Sequence, residues 1–524
     1  MHVRLPPHHD RWLPWAPVGV ASLPILVAAV RAAATGWVPI GDDAYFTVRS
    51  RDVLTDDHPL LGAWSSGSVD LDEPVNNLGP LQFDLLAPFT KVSAMAGTAV
   101  GVAAVQIAAI VCIAWLVSRL AGARAVLPAM MAVAVLTFTM GSELLITPRQ
   151  HQFLVLPFLC LLVACWAAAA GDRWALVPAV VAGSLVAQTH LSYPILVFAL
   201  GLVAIAGQVV HRRAGATRRP WYVATGVGVV LWLQTAIDQL AGWGNFGAVL
   251  FSPGESDPPG LVTGTRIVAA VLTSPRRAMR PGWRTFDPNG ALPGPLSVVV
   301  LLLVLAVSAI GVVWAYRAGR RRTWTGLSVL LGAVLAGVVD AALLPQTVFG
   351  LVAANYRWLW AIAAFALLGA ATLAERAVPA ERQRWFVGAA AVVLSVAVVA
   401  NLPRSVQYDG IEVYHTRQRV VTEMVAQLRD VDVPSPVVVD ESQLYFGHPF
   451  TYPTLVVLQE QGVDFRFDNP VQERRFGSGR LSDGTEQFRL TLWHGEQANA
   501  LRGADDVVVF VDGDNLVAMT LVAG

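Results

Sequence analysis

Eleven apolar stretches, most of them long enough to cross a bilayer, run through this 524-residue chain. In hydrocarbon every backbone N–H and C=O must find its partner within the chain, which leaves helices or a closed barrel; runs of this length select helices. The stretches cover approximately residues 16–36, 93–117, 125–140, 153–170, 174–188, 193–210, 221–240, 296–316, 327–344, 352–373 and 385–402. The third and fifth are short for a full crossing. With 55% hydrophobic and only 14% charged residues, a water-soluble globular fold is excluded. The formal charge is zero, so no basic surface for a nucleic-acid partner is expected. Cys112, Cys160 and Cys165 all fall within apolar stretches and read as small core residues, not as a disulfide or zinc framework. No short apolar core leads to a small-residue cleavage site at the start, so the first stretch is expected to remain as a permanent span.

Arginine placement sets the expected topology. Nearly all the basic residues are arginine, Lys91 being the only lysine. If Arg4 and Arg11 are cytoplasmic, then Arg119, Arg124, Arg173, Arg212, Arg213, Arg218, Arg219, Arg317, Arg320, Arg321, Arg322, Arg376, Arg382 and Arg384 also fall inside. The short loops on the other side carry little more than Arg149. The positive-inside bias therefore puts 37–92, 141–152, 189–192, 241–294, 345–351 and 403–524 on the extracytoplasmic face.

Two of these outer segments have structure of their own. In the first loop, 43–54 is rich in helix formers. Leu81, Leu85 and Phe89 recur every four residues, predicting a short helix over 81–89 that lies in the interface plane. Residues 265–279 predict another short helix. After about residue 404 the composition turns mixed and polar, with strand-like runs at 437–439, 507–511 and 516–519 and helix-like runs at 416–428 and 453–461. The expected organisation is a transmembrane domain over 1–403 and a small extracytoplasmic α/β domain over 404–524.

Polar residues close to membrane ends concentrate on the outer side: Asp42, Asp43, Glu143, Arg149, His151, His190, Tyr193, Asp238, Tyr356 and Arg357. Asp42 and Asp43 follow the first span directly. One reading makes them a helix cap and a second acid complementing the helix dipole. The other makes one a base that accepts a proton from an alcohol. Adjacent helical residues point about 100° apart, so the two carboxylates are not expected to share one role. Asp56 and Asp57, a second acidic pair, lie farther from the membrane and read as surface. Arg149, His151, His190 and Arg357 offer guanidinium forks and imidazole donors of the kind that hold a phosphate. Interfacial anchoring is the plainer account of each one taken singly.

An initial span, a long outer loop opening on an acidic pair, many further spans and an outer C-terminal domain together resemble the GT-C membrane glycosyltransferases. The resemblance covers roughly residues 15–403, and Asp42-Asp43 matches the DD form of that family's first-loop motif. The arginine-, tryptophan- and proline-rich character also resembles actinobacterial members that build cell-envelope polysaccharides such as arabinan or mannan. The resemblance implies a hexosyl- or pentosyltransferase that takes a polyprenyl-phosphate sugar as donor and a cell-envelope glycan or glycolipid as acceptor, inverting the anomeric centre. It implies Asp42 or Asp43 as general base and Arg149, His151, His190 and Arg357 around the donor phosphate. Tyr45, Tyr193 and Tyr356 are its substrate-binding candidates. A divalent cation, Mg²⁺ or Mn²⁺, at Asp42 and Asp43 is compatible with it but not demanded. A secondary transporter or a lipid or polysaccharide flippase is the competing expectation; it calls for repeated halves and ionisable groups near the bilayer midplane. A non-catalytic envelope scaffold would not need so many spans.

Overall fold

A computed structural model describes residues 15–65, 68, 74–211, 217–251, 258–274, 285–286, 294–345, 351–405, 411–445, 447–513 and 516–523. Each of the eleven apolar stretches is helical. In chain order the main helices are α1 (Ala16–Ala34), α2 (Asp42–Asp52), α3 (Leu81–Thr90), α4 (Ala94–Ala121), α5 (Val126–Met140), α6 (Val155–Ala169), α7 (Leu176–Thr189) and α8 (Pro194–Val210). There follow α9 (Arg219–Leu231), α10 (Leu233–Ala241), α11 (Gly260–Leu272), α12 (Pro295–Arg317), α13 (Arg321–Leu343), α14 (Trp358–Ala377) and α15 (Ala380–Ala400). Proline stands in the first turn of α1, α8, α9 and α12, where its missing N–H costs nothing and its fixed φ suits the helix.

Among the described residues, eight helices are long and apolar enough to cross a membrane, and nine if α9 and α10 form one span bent by 46°. The remaining two predicted spans are α7, with 14 residues, and α8, with 17. The loop helix expected over 265–279 begins earlier, at Gly260, and ends at Leu272; residues 275–279 lie outside the described residues. Arg4, Arg11, Arg212 and Arg213 also lie outside them.

One helix is central. The run Gln150–Ala169, made of a short turn and α6, is buried throughout its apolar window. It packs against α4, α7, α8, α13 and α14. A helix that is apolar all round is stable only when neighbours surround it. By contrast α12 buries only 6% of its window and lies at the rim. Close approach is built in by small residues. A Cβ on Gly207 of α8 would stand 2.4 Å from the backbone of Ala169, whereas Gly201 of the same helix has nothing within 4 Å.

The segments expected on the outer face do gather at one end of the bundle. Gly79 N–H donates to Gln188 O at 3.1 Å and Glu143 N–H to Ser405 O at 3.0 Å. Asn76 and Asn245 exchange backbone and side-chain hydrogen bonds at 2.8 and 2.9 Å. Leu191 N–H donates to Asn77 Oδ1 at 3.0 Å. Thr285 and Phe286 pair antiparallel with Val352 and Leu351.

The C-terminal residues build a mixed sheet from β1 (Val437–Asp440), β2 (Phe465–Arg466), β3 (Phe488–His494), β4 (Val507–Val511) and β5 (Val517–Ala523). Its order is β2-β1-β3-β5-β4, with β1 parallel to both neighbours and the other pairs antiparallel. Helices α16 (Ile411–Arg429) and α17 (Thr451–Gln461) contribute to its core. That core is not self-contained. Val38, Ile40, Tyr45, Phe46 and Phe83 of the first loop belong to the same apolar cluster as Val425, Phe450, Phe465 and Leu490. Asp57, expected at the surface, pairs with Arg480 at 2.9 Å, and Arg480 also reaches Asp52 and Asp464. The first loop is thus a structural layer between the bundle and the sheet.

Two valine substitutions on α8 test the packing. Gly207→Val should overpack the α6–α8 contact and destabilise by about 1–3 kcal/mol, read as a lowered melting temperature in detergent. Gly201→Val should leave melting unchanged. Equal melting of the two variants would contradict the close approach.

Candidate active site

The first turn of α2 opens on Gly41, whose φ of +52° an L side chain would resist. Its N–H donates to Pro449 O at 3.3 Å, fixing the turn against the C-terminal layer. Gly41 is therefore the N-cap, and Asp42 and Asp43 are the first two helical residues, not caps. They point apart: Asp42 is exposed, whereas Asp43 is only 1% exposed. Asp43 Oδ2 lies 3.5 Å from Arg149 Nη2, and Oδ1 is buried without a hydrogen-bond partner among the described residues. Burial pushes the Asp43 carboxyl up to about 6 against the opposing pull of Arg149, and Asp42 adds to the rise. Removing a carboxylate from water costs several kcal/mol, and one ion pair at the limit of contact offsets only part of that. The placement of Asp43 is a poor stability device. Perturbed, buried carboxyls of this kind concentrate at reactive sites, which makes Asp43 a candidate for one.

Arg149 stands just before the turn that leads into the central helix. Gln82 of α3 donates to Pro148 O, and Gln150 Nε2 donates to Thr189 O at 2.7 Å. The second bond holds the start of the α6 run and the end of α7 together and brings His151 beside His190, ring centroids 4.9 Å apart and edge to face. His190 Nδ1 accepts the Ser192 N–H at 3.2 Å and lies 2.7 Å from Ser192 Oγ. With Nδ1 accepting, the neutral ring carries its proton on Nε2. Burial pushes the His190 imidazole down to about 4, so at neutral pH it is an uncharged donor.

Arg357 enters from the start of α14. It is 1% exposed and close enough to His151 and Tyr193 to act on both electrostatically. Tyr193 packs on Phe158 and faces His190, and its hydroxyl is buried without a hydrogen-bond partner among the described residues. Tyr356 is buried beside Arg357 in sequence and near Asp340 in space.

Asp43, Arg149, His151, His190, Arg357, Tyr193 and Tyr356 are therefore brought to one end of the bundle around the central helix. Tyr45 is not brought to it. Two residues beyond Asp43, it points about 200° round the helix. There its ring packs against Phe46, Phe83, Tyr452 and Phe476, and its hydroxyl donates to Arg475 O at 3.0 Å. Asp42 looks toward the C-terminal layer, near Tyr452. Two other carboxylates at this end of the bundle have structural partners: Asp238 accepts from Trp243 N–H and Asn245 N–H, and Glu143 lies 3.5 Å from His415. The site candidates drawn from the sequence left out Asp340, a buried carboxylate near the C-terminal end of α13 that acts on both Tyr193 and Tyr356, and Asn355, hydrogen-bonded to His151. The signal for Asp340 was an aspartate in an otherwise apolar run.

Asp42 and Asp43 do not fit a divalent cation. One oxygen of Asp43 faces a guanidinium, Asp42 points elsewhere, and no group of three or more His, Cys, Asp or Glu gathers among the described residues.

Because Arg149 opposes the upward shift of Asp43, Arg149→Gln should raise the carboxyl's midpoint above its value near 6. The protonated C=O infrared band lost in Asp43→Asn reads this titration directly. An unchanged or lower midpoint would contradict the pairing.

No protein-family model matches the chain, and no curated protein sequence matches it significantly. Solved structures do match its fold. The structure of ArnT from Cupriavidus metallidurans bound to undecaprenyl phosphate aligns with a TM-score of 0.52 at 12% identity, over 98% of this chain and 98% of that one. The same protein in the apo state gives equal values. The oligosaccharyltransferase AglB from Archaeoglobus fulgidus, in complex with an inhibitory peptide and a dolichol-phosphate, aligns at 0.45 and 11% identity, over 93% of this chain and 70% of that one. At 12% identity what the ArnT comparison shows is a fold, shared over nearly the whole of this chain.

Proposed function

We propose that the protein is a GT-C-type membrane glycosyltransferase that moves a sugar from a polyprenyl-phosphate carrier to a hydroxyl of a cell-envelope glycan or glycolipid on the extracytoplasmic face. One observation carries this reading. A buried carboxyl with an unpartnered oxygen stands beside a cluster of arginine and histidine, at one end of a bundle with the fold of a protein seen holding undecaprenyl phosphate. The positive-inside pattern supports the compartment.

The reaction is a single displacement. The acceptor oxygen attacks the anomeric carbon, the bond from that carbon to the phosphate oxygen breaks, and its electron pair leaves with the phosphate. Asp43 takes the hydroxyl proton as the new bond forms, and the anomeric configuration inverts. A carboxyl near 6 is a stronger base than a solvated one yet still mostly ionised at neutral pH. The departing phosphate needs charge stabilisation, not a proton. Arg149 and Arg357 supply fixed positive charge, and His190 supplies an Nε2–H. His151 buttresses His190, and Tyr193 offers its hydroxyl to the sugar or phosphate.

The carrier's tail has a matching path. An apolar groove of about 400 Å³ runs between α6, α7, α8 and α9, lined by residues such as Leu161, Gly183, Val197, Gly201 and Trp232. Ser184, which lines it, lies six residues before His190, about 9 Å along α7. Asp42, exposed toward Tyr452 and Arg475, gives the acceptor an approach from the C-terminal layer. A transporter would place its ionisable groups near the midplane, whereas here those of the candidate site lie at one end of the bundle.

Asp43→Asn should reduce transfer by about 10²-fold or more while the protein still accumulates; Asp42→Asn should cost less. Full activity of Asp43→Asn would defeat the assignment. The base works only when deprotonated, so kcat/KM should rise with pH through a midpoint near 6 and be lost below it. A profile flat from pH 5 to 8 would contradict this. Arg357→Gln should impair use of the lipid-phosphate donor and leave the acceptor KM unchanged; the reverse pattern would remove Arg357 from the phosphate.

A further inference from the structure

The apolar groove beside the candidate site has a definite depth, which helix register measures on three helices at once. Both α8 and α9 pack on α7, and the groove lies between them with α7 and the central α6 behind. On α7 its lining runs from Ser184 to Leu176, about 9 to 21 Å along the axis from His190. On α8 it runs from Val197 to Ile205, about 6 to 18 Å from Tyr193. On α6 it includes Leu161 and Cys165, about 15 and 21 Å from His151. The groove therefore begins about 6–9 Å from the level of the two histidines and ends about 20 Å from it.

Its chemistry suits a hydrocarbon chain. No charged residue lines it among the described residues, and the Trp232 indole N–H is already donated to Ser184 Oγ at 2.9 Å. Its lips, Ile205 of α8 and Val229 of α9, are exposed, so the groove lies open along one side. Glycine stands on three of its walls, at Gly183, Gly201 and Gly228. A Cβ on Gly201 would meet nothing within 4 Å, and one on Gly228 would meet Val180 first, at 3.4 Å, an ordinary contact. The missing side chains set the width and leave room for a methyl branch at Gly201. Because lipid tails are as apolar as leucine, the groove gives a tail no hydrophobic gain over the bilayer; what it gives is shape.

We infer that the groove seats the third and fourth isoprene units of the carrier's tail, and that Gly201 and Gly228 decide which tails are accepted. An isoprene unit adds four carbon–carbon bonds of about 1.5 Å each, or about 5 Å of extended chain. The first two units bridge the distance from the phosphate to the start of the groove, and the next two span its length to about 20 Å. Gly201 stands about 12 Å along α8 from Tyr193, level with the third unit. The assignment rests on the proposed polyprenyl-phosphate carrier and adds a length requirement to it: a tail of two units stops at the mouth of the groove.

The test uses full-length protein in phosphatidylcholine nanodiscs carrying either geranyl phosphate, with two isoprene units, or undecaprenyl phosphate, at matched mole fractions. Bound lipid is counted by native mass spectrometry. Gly201→Phe and Gly228→Phe each plug the groove, and Gly226→Phe, exposed on α9 outside the lining, is the control. Undecaprenyl phosphate binding should fall about tenfold in each plugged variant and not in the control, while geranyl phosphate binding stays at its wild-type level. Undecaprenyl phosphate bound equally by wild type and both plugged variants would overturn the groove and leave the carrier reading standing. An equal loss of geranyl phosphate would overturn it too, as would plugs that displace phosphatidylcholine alone. If wild type binds neither prenyl phosphate, the carrier reading itself fails and takes the groove assignment with it.

Discussion

Everything at the candidate site depends on a helix that has no face toward lipid or water. The run Gln150–Ala169 is buried along its whole apolar window, so neighbours fix it up to the half-buried Arg149, Gln150 and His151 at its start. Arg149 and His151 inherit that rigidity. The Gln150–Thr189 bond transmits it to His190, and the start of α14 brings Arg357 to the same place. Precise placement matters because electrostatic stabilisation of a leaving phosphate works only with donors already oriented. A site on the axis of a bundle has that property; a site on free loops does not.

The contact between Asp43 and Arg149 joins the two halves of the proposed chemistry. The aspartate is brought by the first loop and the arginine by the bundle, so the proposed base and the proposed phosphate cradle meet only when the loop is docked. Docking is secured from above by the C-terminal layer, through Gly41 on Pro449 and the shared aromatic cluster around Tyr45. The C-terminal residues thus help to hold the turn that carries Asp43, the proposed base. Arg480, bound to Asp52 and Asp57 of the loop and to Asp464 of its own layer, acts as a fastener between them.

Much of this was legible in the sequence because membrane folding leaves few choices. Apolar runs mark helices, and arginine counting correctly grouped the segments that meet at one end. The acidic pair and the Arg149, His151, His190 and Arg357 set stood out for the same reason: polar groups at membrane ends are costly and therefore few. Other features depend on tertiary contacts that no local pattern carries. Which aspartate is buried follows from a 100° step on α2 and the position of Arg149. Tyr45 looked like part of a motif, yet helical geometry turns it into the aromatic core. The sharing of one core between the first loop and the sheet could not be read from a composition change near residue 404, since it arises from residues some 400 positions apart. Asp340 was visible as an oddity in α13 but gained meaning only beside Tyr193 and Tyr356.

The most direct test is a structure of the protein with a polyprenyl phosphate bound. The account predicts the phosphate within hydrogen-bonding distance of Arg149, Arg357 and His190, next to the Asp43 carboxyl, with the tail leaving along the groove beside Gly183 and Gly201. A phosphate seated elsewhere, with those four side chains untouched, would contradict it.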